Sequence, residues 1–286
     1  MARNPFKFGT DLWDPTYRFE TSWLISPWAL FFCRALFSLY AFTTLVFVLA
    51  WQCVNDTTHC LASQEQFSYF TSLTYWGLGF YFLFAALHTF TYARTGRPLL
   101  ARFPRPLQAL HSAFHTTIIV YPFVVTIVYW GRLYSGTWYT TSYQGWSNIS
   151  QHALNSVFAF FEIVVPRTSP PPALHMLWLI VVLALYLAVA YITKAHRGFY
   201  PYDFLNPATE GAYVAAYVFG IAVGCIVLFG VAWGLVKLRQ YVTETRLGKH
   251  GKFSAADGVN RHHHDKEKPG SAGDVEQAKP LASLAP

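Results

Sequence analysis

Charge is what this sequence has least of. Only 12% of its 286 residues are Asp, Glu, Lys or Arg, against about 25% in an ordinary soluble domain. Its four cysteines do not form the paired spacing of a zinc site. The first 27 residues carry charges and no continuous apolar run, so no cleavable signal peptide is expected there and the first apolar block is expected to act as its own insertion signal. Internal repeats and intramembrane carboxylates are too few to favour a transporter.

What is present in quantity is apolar side chain, at 53% of the residues, with 19% aromatic. It falls into blocks of roughly 20 residues, the length that crosses a hydrocarbon core about 30 Å thick. Six blocks are predicted as helices, at 28–51, 70–90, 108–130, 148–165, 174–193 and 212–236. Trp28, Trp51, Tyr129, Trp130 and Trp233 fall near their ends, where aromatic belts belong. The expected fold is an all-α membrane protein, a six-transmembrane-helix bundle over 28–236. An N-terminal arm, 1–27, precedes it and a basic tail, 237–286, follows. The end of that tail is rich in Gly, Ala, Ser, Pro and charge and is expected to be disordered, since it buries too little apolar surface to offset chain entropy. Its adjacent His262, His263 and His264 have no fixed geometry for a metal.

A net charge of +7 would suggest nucleic acid in a soluble protein, but here the basic residues mark orientation. The arm, the second and fourth connections and the tail hold 17 Lys and Arg, and the other connections hold three. Both termini are therefore expected in the cytosol. Arg34, about two turns into the first block, is expected to snorkel to the cytosolic interface. Cys53 and Cys60 flank a short connection on the other side, where an oxidising compartment would allow them to pair.

Polar groups inside a membrane bundle point to its function. Asn148, His152, Asn155, Ala159 and Glu162 recur at intervals of four and three, which is one face of a helix. Asn and Ser on such a face serve as interhelical glue. His152 is placed about one turn in from the non-cytosolic end, where an imidazole reaches both lipid and water, as a general base must. At similar depth the block beginning FSYFTSLTYW carries Thr71 and Thr74, either a nucleophile for that base or hydroxyls bonded back to the helix. Asp203, in FYPYDFLNP on the same side, is a candidate to orient the imidazole or a residue that shapes the loop. Glu162 is ten residues from His152, about 15 Å along a helix, too far to partner it. His111 and His115 have the spacing of metal ligands on a helix, but no second cluster accompanies them, and no metal or other cofactor is expected.

The order YFTSLTYW, VTIVYW, GWSNISQHALNSVFAFFEI and GFYPYDFLNP resembles the androgen-inducible, ADTRP-like membrane threonine hydrolases and their Rolling stone relatives, over roughly residues 66 to 207. Within that group it is most similar to a fungal branch of unestablished function. The resemblance implies cleavage of fatty acid esters of hydroxy fatty acids by an intramembrane Thr and His. It maps these onto Thr71, with Thr74 as the fallback, and His152, and makes Asn148 a candidate oxyanion donor. Ile149 and Ala153 depart from the pattern of the characterised hydrolases, which have His and Thr at those positions. The expected protein is an integral membrane lipid ester hydrolase of the endoplasmic reticulum or plasma membrane. Its partners would be membrane lipids and a lipid ester, not nucleic acid. The rivals are a non-catalytic protein of membrane organisation or cell fusion and, with less support, a transporter.

Overall fold

A computed structural model of the chain describes residues 13–55, 57, 60–249 and 251. The disorder expected over 251–286, with the His262 to His264 run, lies outside the described residues except at Gly251. Helices α1 (Pro27–Asn55), α2 (Leu61–Glu65), α3 (Phe70–Thr95), α4 (Arg105–Ile118) and α5 (Tyr121–Val128) form the first half. They are followed by α6 (Ser142–Ile149), α7 (Asn155–Val164), α8 (Leu174–Arg197), α9 (Pro207–Glu210) and α10 (Tyr213–Gln240). Among the described residues there is no strand, only an isolated bridge between Ser22 and Pro166. Five helical stretches are long and apolar enough to cross a membrane: Pro27–Asn55, Phe70–Thr95, Arg105–Leu133, Leu174–Arg197 and Tyr213–Arg246. The stretch from Ser142 to Val164, which holds the polar stripe, is helical throughout but is not among these five.

Local chemistry explains most of the helix boundaries. Pro27 opens α1, where a missing N–H costs nothing. Gly96, with φ at 72°, closes α3 in the left-handed region that glycine tolerates best. Between α4 and α5 the helix breaks at Ile119 and Val120, just before Pro122, which cannot continue the hydrogen-bond ladder. α1 packs closely on α3 at Gly79, where a Cβ would meet the Phe42 ring at 3.3 Å. Ser38 Oγ uses that proximity to donate to the Gly79 carbonyl at 3.0 Å.

Besides the break inside the helix expected over 108–130, two findings depart from expectation. Arg34 does not snorkel outward. It is 1% exposed, and its Nε and Nη2 each donate at 2.8 Å to a carboxylate oxygen of Glu162 on α7, while Nη1 donates to the Phe19 carbonyl and to Thr89. The physical reason is that Glu162 supplies a complete partner within the bundle, so the guanidinium has no need of the interface. The last helix also runs past its expected end at 236 to Gln240 and on through a π-helical turn, Tyr241–Arg246. Arg239 holds it there by donating to the carbonyls of Ile163, Pro166 and Thr168, and Glu244 pairs with Arg18 of the N-terminal arm. Cys53 and Cys60 are joined in a disulfide.

Candidate active site

At the end of the bundle opposite the N-terminal arm, a cavity of about 620 Å³ lies between α1, α3, α6, the turn after α5 and the loop before α9. Thr71, Asn148, His152 and Asp203 all line it. Four residues that were separated in sequence by as many as 132 positions therefore face one space.

His152 stands in a π-helical turn, Ser150–Leu154, that joins α6 to α7. A second π turn, Tyr129–Leu133, follows α5. Such wider turns are rare and recur at functional sites, and here the two meet. The Tyr129 ring stacks on the His152 imidazole with centroids 3.6 Å apart and planes 15° from parallel, and Trp130 Nε1 donates to the His152 carbonyl at 2.9 Å. His152 Nδ1 lies 3.0 Å from the Asn148 carbonyl. A carbonyl only accepts, so Nδ1 carries the proton and Nε2 keeps its lone pair, the arrangement a general base requires. Asp203 shares the cavity, but the ring is oriented by the Asn148 carbonyl and the Tyr129 face.

The Asn148 side chain has its own task. Its Oδ1 accepts from the Tyr129 hydroxyl at 2.7 Å and its Nδ2 donates to the Gln144 carbonyl at 2.9 Å. The Tyr129 hydroxyl also meets that of Tyr139 at 2.7 Å. Asn148 therefore steadies the ring that covers His152, and one hydrogen of its amide is left over for a further acceptor.

Thr71 and Thr74 differ in a way their spacing does not show. Thr74 Oγ donates to the carbonyls of Phe70 and Thr71, at 2.8 and 3.0 Å, and is absorbed by the helix. Thr71 is the second residue of α3, and the residues a turn before it belong to a separate 3-10 turn, Gln66–Ser68. Among the described residues its hydroxyl makes no such helical bond, and the Tyr202 hydroxyl accepts from the Thr71 N–H at 3.4 Å. Burial pushes the Tyr202 phenol above the ordinary tyrosine range, so it remains neutral and retains a proton to donate.

A second cavity of about 270 Å³, almost wholly apolar, lies between α5, α8 and α10. Thr71, Tyr129, Leu133 and Tyr202 line both cavities. Thr71 thus stands where an apolar space adjoins a polar one. Phe219, on the rim of the apolar space, is 71% exposed, which opens that space toward the outer face of the bundle.

The rest of the polar stripe is packing. Asn155 and Ser156 bond Thr126 and the Pro122 carbonyl of α5. Glu162 holds Arg34 and accepts from Tyr81 at 3.1 Å. His111 and His115 sit among the rings of Phe19 and Tyr81, and among the described residues no group of three or more ligands is placed to hold a metal ion. Sequence reasoning missed Tyr129 and Tyr202. Both lay in motifs already marked out, VTIVYW and GFYPYDFLNP, but in a chain that is 19% aromatic a tyrosine carries little signal. Neither a known protein family, nor a curated protein, nor a solved structure matches the chain.

Proposed function

We propose that the chain is a membrane-embedded hydrolase of lipid esters, with Thr71 as nucleophile and His152 as base. The observation that carries this reading is the position of Thr71 on the shared wall of the apolar and polar cavities, with His152 across the polar one. An ester whose acyl chain fills the apolar cavity presents its carbonyl at the Thr71 hydroxyl. Thr71 Oγ then attacks that carbonyl, and His152 Nε2 takes the hydroxyl proton and returns it to the departing alkoxide. Water, deprotonated by the same nitrogen, attacks the acyl-threonine; the proton goes back to Thr71, and a fatty acid leaves. The Tyr202 phenol and the spare Asn148 amide hydrogen, which line the same cavity as Thr71, are the proposed donors to the developing oxyanion, with the N-terminus of α3 beside Thr71. Fatty acid esters of hydroxy fatty acids fit this description, with an apolar chain on each side of the bond.

The membrane arrangement belongs to the same proposal. Ser142 to Val164 forms the sixth span, about 34 Å long at 1.5 Å per residue, with its polar stripe turned inward. Both termini lie in the cytosol and the cavity opens to the lumen or exterior, where the disulfide is stable. One observation favours a non-catalytic reading in part: Asn155, Ser156 and Glu162 are fully used in packing. The deciding experiment is hydrolysis of a branched fatty acid ester by reconstituted wild type, Thr71→Ala and His152→Ala. Loss of about a hundredfold or more in both variants supports the mechanism; equal rates in all three exclude it.

A further inference from the structure

We infer that the chain holds an anionic phospholipid by its phosphate between Arg94 and Arg102, at the end of the bundle opposite the candidate active site. The inference depends on the membrane placement and is independent of any hydrolase activity. No Asp or Glu occurs from residue 66 to residue 161, yet the stretch from the last turn of α3 to the first residue of α4 holds four arginines, Arg94, Arg97, Arg102 and Arg105. Positive charge in a cytosolic connection is ordinary for topology alone. Here two of the four converge on one built space. A cavity of about 320 Å³ is lined by Phe90, Thr91, Arg94, Thr95, Leu99 and Arg102.

The backbone around this space is pinned. Thr91 Oγ accepts from the Leu99 N–H at 2.8 Å, and Thr95 Oγ donates to the Arg97 carbonyl at 3.0 Å. Gly96 supplies the left-handed turn between them, and Gln108 Nε2 donates to the Leu100 carbonyl at 3.1 Å. The last turn of α3 and the 3-10 turn Leu99–Arg102 are thereby held together, with one arginine on each. Among the described residues neither Arg94 nor Arg102 has an ion-pair or hydrogen-bond partner, and both are exposed. Two unspent planar donors facing one space suit a tetrahedral phosphate, which each guanidinium binds through paired N–H groups.

The apolar wall identifies the source of that phosphate as a lipid. Phe90 packs against Trp28 and Phe31, with centroids 5.8 and 5.3 Å apart. Trp28 is 43% exposed and the neighbouring Phe32 63% exposed, so the wall runs onto an outward aromatic surface. A phosphate in the cavity leaves its glycerol and acyl chains to lie along that surface, as expected where a helix end meets the headgroup layer.

The test uses the full chain in nanodiscs of phosphatidylcholine with a minor fraction of phosphatidylglycerol, released into native mass spectrometry. Wild type is expected to retain phosphatidylglycerol over phosphatidylcholine. The double variant R94Q/R102Q is expected to lose that preference by on the order of tenfold or more, with unchanged helical content. R97Q, which removes an exposed arginine outside the cavity, should stay within about twofold of wild type. Equal retention by the double variant, or an equal loss in R97Q, overturns the site in favour of general charge attraction. Displacement by millimolar glycerol 3-phosphate overturns the lipid source in favour of a soluble phosphate ester. As a check that uses no variant, phosphatidylglycerol with a photoreactive headgroup should label the peptide spanning residues 94–102, and labelling only elsewhere contradicts the proposal.

Discussion

Arg34 and Glu162 form a bidentate ion pair between α1 and α7, 128 positions apart in sequence, with the side chains 1% and 0% exposed. The pair crosses the bundle at the end away from the candidate active site and bonds Thr89 and Tyr81 as well. Removing one member leaves the other charged and buried.

Single substitutions Arg34→Leu and Glu162→Leu are each expected to destabilise the bundle by about 3–5 kcal/mol. The double substitution should recover most of that loss, because no orphan charge remains. Thermal unfolding in detergent measures this, and a double variant as unstable as the singles would show that the pair acts through something other than its charges.

Thr74→Ala removes a hydroxyl already bonded to two helix carbonyls. Hydrolysis should change by no more than about twofold, since the group is spent on the backbone. A loss as large as that of Thr71→Ala would move the nucleophile to Thr74.

Tyr129→Phe keeps the ring stacked on His152 but removes its bonds to Asn148 and Tyr139. Catalysis that depends on a fixed imidazole should then fall by roughly tenfold, with KM little changed, and Tyr129→Leu should cost more. Steady-state kinetics separate the two terms.

Filling the apolar cavity tests which side of the ester it takes. Ala222→Phe, on α10, places a large side chain in that space. Turnover of esters with long acyl chains should drop by at least about tenfold, while a short-chain ester is still cleaved. Equal losses for both would remove the cavity from substrate binding.

The N-terminal arm carries a pH-sensitive residue. Burial, and next the neighbouring Asp14, push the Glu20 carboxyl up to about 8, against the lowering effect of Arg34. A folded-state value above the unfolded one means that the folded chain holds the proton more tightly. The stabilisation is fully present below about 4.5 and is lost as pH rises through about 8. Unfolding temperature should therefore decline across that window, and Glu20→Gln should flatten the decline; an identical slope in both would contradict the assignment.

Much of the fold was legible because its determinants are local. Runs of Leu, Val, Phe and Ala of spanning length dictate helices, since a backbone in lipid must satisfy its own N–H and C=O groups. The same holds for part of the candidate site: the four-and-three spacing placed His152 with Asn148, and a common end of the bundle placed both near Thr71. The break before Pro122 was not expected, and the helix predicted over 108–130 runs unbroken only to Ile118, although proline's missing N–H supplies a local reason for the break.

Other features depend on contacts that no local pattern encodes. Nothing in the text around Arg34 announces Glu162, and a charge near a helix end reads as an interfacial anchor until its partner across the bundle is found. Thr71 and Thr74 have equal chemistry and adjacent spacing, and only their depth in α3 decides which hydroxyl the backbone consumes. The stacking of Tyr129 on His152, 23 residues away, joins two π turns, a pairing that no local residue pattern announces. The amino-acid sequence by itself determined a helical, charge-poor chain built in spanning lengths, because hydrophobicity and backbone hydrogen bonding act along the chain. The tertiary structure alone decided which polar groups are spent on one another and which face the cavity, because those pairings act through space between residues far apart in the chain.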